Sequence, residues 1–208
     1  MPDETYTPVN LLGGSHPQAC KSVTILSGQS LAAGAVIGAI TKALGTVVAG
    51  SNTGNGTCTG AALKKNTKLG SYVLTCTGAA TNSGTFKVVD PDGFRLSDAT
   101  VAVAYANDSI GFTINDGATD FIVGDSFTIP VAAGSGKYKL VDKTGVDGSQ
   151  NPVAILKEAV DATSADASGI AAETGEFNIA AISLAAGTVA ADVTDALAAR
   201  NIYLRTLG

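Results

Sequence analysis

The sequence predicts a mainly β protein with one helix near its C-terminus, and three observations carry that prediction. Aromatic residues make up only 5% of the 208 positions and Trp is absent, while 25 glycines are spread among Ala, Val, Thr and Ile. That is the composition of many short strands joined by tight turns. Short β-branched apolar runs recur along the chain, each bounded by Gly, Asn, Asp or Ser. One segment alone carries helical spacing, with Val189, Val193 and Leu197 at i, i+4 and i+8 and Ala196 beside them. Thr188 stands where a cap belongs, Arg200 suits the negative end of the helix dipole, and Asn201 is a stop signal.

Residues 1–20 hold three of the six prolines together with Gly13-Gly14 and few periodic apolar positions, so they read as an extended arm. Two uses of such an arm stay open: a disordered tail, or a segment that orders on a partner by adding to a sheet edge there. Within it Thr5, Tyr6, Thr7, Val9, Leu11 and Leu12 are the residues expected to make that contact, because Tyr6-Thr7-Pro8-Val9 alternates without an evident partner in the chain. Val23 to Leu26 then predicts a strand, Ser27-Gly28-Gln29 a turn, and Ala35 to Ile40 a second strand.

From residue 43 to 135 the texture changes. Loops such as Gly50 to Gly56 separate strands expected at Tyr72–Thr75, Thr85–Val89, Gly111–Ile114 and Ser126–Val131, with turns at Asn82-Ser-Gly, Asp90-Pro-Asp-Gly93 and Asn115-Asp-Gly117. This stretch reads as an inserted small β sandwich or barrel. A floppy insert of that size costs about 4 kcal/mol in closure entropy beyond a constant, which a folded insert with adjacent ends mostly avoids. The core is then discontinuous, residues 21–42 joined to 136–208.

Gly136 to Ala162 holds the densest turn signal. Tyr138, Leu140 and Val141 begin an apolar run, Thr144 to Gly148 tolerates positive φ, and Pro152-Val-Ala-Ile-Leu156 continues as a strand, so the stretch predicts a β-hairpin. Ser168–Glu173 and Glu176–Ile182 read as strands around Thr174-Gly175, and Ile202-Tyr203-Leu204 closes the chain as another.

The formal net charge of −5 offers no basic footprint for a phosphate backbone, which argues against nucleic acid as a partner. The longest apolar run, Leu31 to Ile40, is half the roughly 20 residues a spanning helix needs and is interrupted by glycine, so no membrane partner is expected. The first Lys or Arg is Lys21, behind a polar, proline-containing segment, which is not a secretory signature; synthesis in a cytoplasm is expected. Cys20, Cys58 and Cys76 form no CxxC pair and read as small buried hydrophobes. Cys58 and Cys76 sit in matching hexapeptides, Thr57–Ala62 and Thr75–Ala80, which leaves open that they face each other on neighbouring strands.

No catalytic, cofactor or metal site is expected. His16, the single histidine, lies in the arm with nothing to orient it, and Gly134-Ser-Gly136-Lys137 is followed by Tyr138 where a phosphate loop needs Ser or Thr. Gly54-Asn-Gly56 misses the dinucleotide spacing and opens no helix. Asp90/Asp92, Asp116/Asp120 and Asp142/Asp147 lack the ligand ladder of a calcium loop and suit turn chemistry.

Several segments in order resemble the lambda-type bacteriophage head decoration proteins: Ser27-Gly-Gln-Ser-Leu31 before Val36-Ile37-Gly38, Asp147-Gly148 leading into Pro152 to Leu156, Gly175-Glu-Phe177, and the closing helix and strand. The likeness covers roughly residues 20–42 and 136–208, and residues 43–135 resemble an extra domain of longer members. The resemblance implies a β-clip-like core, a homotrimer on the exterior of a tailed-phage capsid, contact with the major capsid protein through the N-terminal arm, and stabilisation of the expanded head against DNA pressure. It implies no enzyme and no cofactor. A tail or baseplate module, or a carbohydrate-binding adhesion module, is the alternative; the absence of Trp and the presence of only five Tyr weigh against sugar binding.

Overall fold

The structure, a computed structural model, describes residues 10–207. The chain divides into two compact units: the described residues of Met1–Ile40 with those of Gly136–Gly208, and Thr41–Ser135. The first unit starts with β1 (Cys20–Ile25), β2 (Gln29–Leu31) and β3 (Val36–Ala39). The second holds β4 (Lys42–Leu44), β5 (Val48–Ala49), β6 (Thr57–Leu63), β7 (Gly70–Ala80), β8 (Ser83–Val89), β9 (Ala99–Thr100), β10 (Ala104–Ala106), β11 (Ile110–Asn115) and β12 (Ser126–Ala133). The chain then returns to the first unit as β13 (Tyr138–Leu140), β14 (Ala154–Leu156), β15 (Val160–Ala162), β16 (Ala167–Ala172), β17 (Gly175–Asn178), α1 (Ala190–Ala198) and β18 (Ile202–Arg205). The protein is mainly β with a single C-terminal helix among the described residues, as its composition and patterning predict.

In the first unit, β1-β13-β3-β14-β16 close a barrel. The predicted hairpin between Tyr138 and Leu156 is not formed. Both of its strands exist, but β13 pairs with β3 at Leu140↔Ile37 and β14 pairs with β3 at Ala154↔Ile37, so β3 lies between them. The reason is burial on two faces. Ile37 points into the barrel with Ile25, Leu31 and Leu156, while Val36 points outward into a second cluster with Ile155, Phe177, Val193, Leu197 and Ile202. A strand apolar on both faces belongs in the middle of a sheet, and that long-range demand outweighs the local turn signal. The intervening loop runs so close to β3 that a Cβ on Gly38 would lie 2.0 Å from the Ser149 carbonyl oxygen.

The helix is where its periodicity places it, with one correction at its start. Val189, not Thr188, is the N-cap: its N–H donates to the Asp192 carboxylate at 2.8 Å, and Asp192 N–H donates back to the Val189 carbonyl. Thr188 is buried and its hydroxyl oxygen instead accepts the Lys143 N–H at 3.1 Å. Val193 and Leu197 form the buried face, and Asn201, at φ 61°, stops the helix so that β18 can run parallel to β17.

The second unit packs a six-stranded sheet (β4-β12-β7-β8-β9, with β5 also on β12) and a three-stranded sheet (β10-β11-β6) around one core. Alternation is strict where it matters: Tyr72, Leu74 and Cys76 of β7, Phe86 and Val88 of β8, and Phe127, Ile129 and Val131 of β12 all point inward. Phe86 and Phe127 sit against Phe121, each edge-to-face, with centroids 5.1 and 5.8 Å away. The three cysteines are free. Cys58 and Cys76 do not sit on neighbouring strands: β6 pairs with β11, whereas β7 pairs with β8 and β12, so the repeated hexapeptide is a repeat of strand pattern alone.

Candidate functional site

Of the arm residues singled out from sequence, Thr5, Tyr6, Thr7 and Val9 lie outside the described residues; Leu11 and Leu12 are described. Residues 10–19 run along the free edge of β17. Leu12 bridges Phe177 in antiparallel sense, Gly13 N–H donates to the Glu176 carbonyl at 3.0 Å, and Asn178 N–H donates to the Leu11 carbonyl at 2.9 Å. Further on, Thr174 ties down the end of the strap: its hydroxyl accepts the Ala19 N–H at 2.8 Å and donates to the Pro17 carbonyl at 2.9 Å.

Leu11 is 9% exposed and packs in the cluster of Phe177, Val193, Leu197 and Ile202, while Leu12, on the opposite side of the strap, is 44% exposed. The pair is thus split by strand alternation, one side chain holding the segment to its own chain and the other turned to solvent. Close approach explains the two glycines. A Cβ on Gly13 would lie 2.7 Å from the Phe177 carbonyl carbon, and one on Gly14 1.9 Å from a Glu176 carboxylate oxygen. The sequence reading of an arm without a partner in the chain therefore ends at about Asn10, and Gly13-Gly14 was the signal that the following stretch lies flat against a strand.

Glu176 is the electrostatic centre of this strap, and sequence reasoning did not single it out. Its carboxylate accepts the His16 N–H at 3.3 Å and the Arg205 guanidinium at 3.2 Å. Burial works to raise its pKa, but Arg205 and the His16 and Ser15 N–H groups outweigh that and hold the carboxyl below the usual range. The His16 ring rests edge-on against Tyr203 with centroids 5.3 Å apart.

The acidic residues act inside turns. Asp90 accepts the N–H groups of Asp92 and Phe94 and pairs with Lys68 at 2.7 Å; Asp142 accepts from Thr144, and Asp147 from Ser149. Asp125, buried, accepts the N–H groups of Thr53, Gly54 and Ile122, which accounts for the Gly54-Asn-Gly56 loop. Lys137 of the rejected phosphate-loop motif pairs with Asp166 at 2.5 Å. Among the described residues, no helix is long and apolar enough to cross a membrane.

Fold and site together define a mainly β protein with one C-terminal helix and an N-terminal segment strapped along the edge of its own sheet. The chain belongs to the bacteriophage lambda head decoration protein D family, whose family model matches residues 3–202. It is accordingly a phage head decoration protein, a structural protein of the virion capsid. No curated protein matches the sequence. Two crystal structures of Xanthomonas campestris FlgL are similar to part of it. The one in space group H3 is 21% identical over 52% of this chain and 34% of that chain, with a TM-score of 0.34. The one in space group C2 is 20% identical over 56% and 33%, at the same TM-score of 0.34. The chain spans about a third of the length of those structures, and a likeness at that score carries no argument.

Proposed function

We propose that this protein binds the exterior of the expanded capsid of a tailed phage as a homotrimer, contacts the major capsid protein through residues 1–9 and the neighbouring Leu12, and holds the shell against the pressure of packaged DNA. The observation that carries this reading is the family match over residues 3–202. The net charge of −5 agrees with it, since an acidic protein outside the shell avoids repulsion from packaged DNA. The root of the arm supports it as well: Leu11 and the strap hold the segment that follows residue 9, so that Thr5, Tyr6, Thr7 and Val9 start from a fixed point. Residues 43–135 form the inserted domain of this reading, carried on a core of residues 21–42 and 136–208 that does the attaching. Synthesis takes place in the bacterial host cytoplasm.

The test is addition of purified protein to expanded, undecorated heads, followed by co-sedimentation. The full chain is expected to bind in a fixed ratio to the capsid protein, and a chain lacking residues 1–9 to bind at least about tenfold more weakly, because burying Tyr6 and Val9 is worth about 1.5–3 kcal/mol each. Undiminished binding by the shortened chain would remove the arm from the reading, and no binding by the full chain would remove the reading itself. Sedimentation equilibrium of the free protein tests the trimer separately.

A further inference from the structure

The six-stranded sheet of the second unit has an outer face that its own core does not use. Outward positions follow from the register: Val48, Thr128, Val73 and Val89 lie in one row across β5, β12, β7 and β8, with Ser126, Thr75 and Lys87 in the row beside it and Pro130 and Ser71 on the other side. Lys87 is the one charged residue in these three rows. Leu69, just before β7 and on the same face by alternation, is 52% exposed, Val48 57% and Val73 39%. A solvent-facing side of an antiparallel sheet ordinarily alternates to polar and charged residues, and this one is instead uncharged, β-branched and flat.

We infer that this face packs against the same face of a second copy of the chain. Four strands at about 4.8 Å spacing and about seven residues of length give a patch of about 450 Å² per copy, so two copies bury about 900 Å². That lies below the roughly 1,600 Å² of a standard stable complex and close to the roughly 1,000 Å² at which a specific contact begins. The area therefore fits a weak self-contact that becomes effective when copies are held side by side on one surface, where the second contact is intramolecular. The chemistry selects a second copy over a charged partner. The patch has no charge pattern with which to recognise one, whereas two flat β-branched faces are complementary to each other in the aligned packing of sheet on sheet. Such a contact is isologous and pairs copies, so it cannot close a three-fold ring; it joins copies of different rings. It does not rest on the trimer, because pairing doubles a monomer as well as a trimer.

The experiment is sedimentation equilibrium of the full-length protein over a concentration series up to about millimolar, with the variants Val73→Lys and Thr128→Lys and the control Ile170→Lys on β16 of the other unit. Circular dichroism establishes that each variant is folded. The wild type and the control are expected to double in mass with rising concentration, whatever their starting oligomer, and both sheet variants to double at least about tenfold less readily. Absence of doubling in the wild type, or equal doubling in folded sheet variants, overturns the inference. So does a pattern in which the sheet variants double normally but bind expanded heads more weakly, since the face would then cover a shell protein instead.

Discussion

Replacing Leu11 by Ala tests whether the first described residues are a strap held by the chain or a tail lying on it. Leu11 is the one side chain of the strap that enters the cluster of Phe177, Val193, Leu197 and Ile202, and it is 9% exposed there. Leu-to-Ala changes in cores cost about 2–5 kcal/mol, and a site at the margin of a cluster, open to partial collapse or to water, belongs at the low end, about 2 kcal/mol. The loss falls first on local opening, because few other apolar contacts hold residues 10–19. An opening equilibrium shifted by about 2 kcal/mol speeds exchange of the amides it protects by about thirtyfold. The amides to follow are Gly13, which donates to the Glu176 carbonyl, and Asn178, which donates to the Leu11 carbonyl. Hydrogen exchange by NMR at neutral pH reads both, with amides inside the second unit as the unaffected reference. Unchanged exchange at Gly13 and Asn178 in a folded Leu11→Ala protein would refute the reasoning, since Leu11 would then not be what holds the strap.

Two further predictions concern the units. Removing Thr41–Ser135 and joining Ile40 to Gly136 through Asn-Gly is expected to leave the first unit folded with a β circular dichroism spectrum, because Ile40 N–H already donates to the Lys137 carbonyl and Gly136 N–H to the Ile40 carbonyl, the ends of a ready hairpin between β3 and β13. A shortened chain that is insoluble or unfolded would show that the two units fold only together. Burial works to raise the Asp125 carboxyl, but the N–H groups of Thr53, Gly54 and Ile122 outweigh it and hold its pKa below the usual range. The stability it contributes is therefore present above the unfolded value of about 3.9 and lost as pH falls through the lower folded value. Asp125→Ala is expected to cost about 3 kcal/mol at neutral pH by leaving those donors unpaired, and to flatten the acid limb of a denaturation series; an acid limb as steep as the wild type's would count against this account.

Much of the fold was legible in the chain because it rests on local pattern. Val193 and Leu197 could only be a helix face, Asn201 only a stop, and the alternation through Tyr72, Leu74, Phe86, Val88, Phe127 and Ile129 fixed which side of each strand met a core. The turn at Asn82 and the Asp90 loop are local chemistry too, a residue that tolerates positive φ and a carboxylate that reaches N–H groups two and four residues on. The helix start was misplaced by one residue because Thr188 has a competing donor, the N–H of Lys143, 45 positions away in sequence.

What only the tertiary structure decided is which strands pair and what the arm's root touches. The stretch from Tyr138 to Leu156 carries every local mark of a hairpin, yet β3 separates its strands because Val36 and Ile37 must be buried on opposite faces at once, a requirement set by two clusters and not by neighbours in sequence. Cys58 and Cys76 share a hexapeptide and end on strands with different partners for the same reason: pairing is a property of the whole sheet. Sequence fixes what a residue can do over a few positions, through φ/ψ preference, alternation and short-range hydrogen bonds. The partner 165 residues away, as Leu11 finds in the backbone of Glu176 to Asn178, is chosen by where apolar surface can be buried, and that is determined only when the chain has closed on itself.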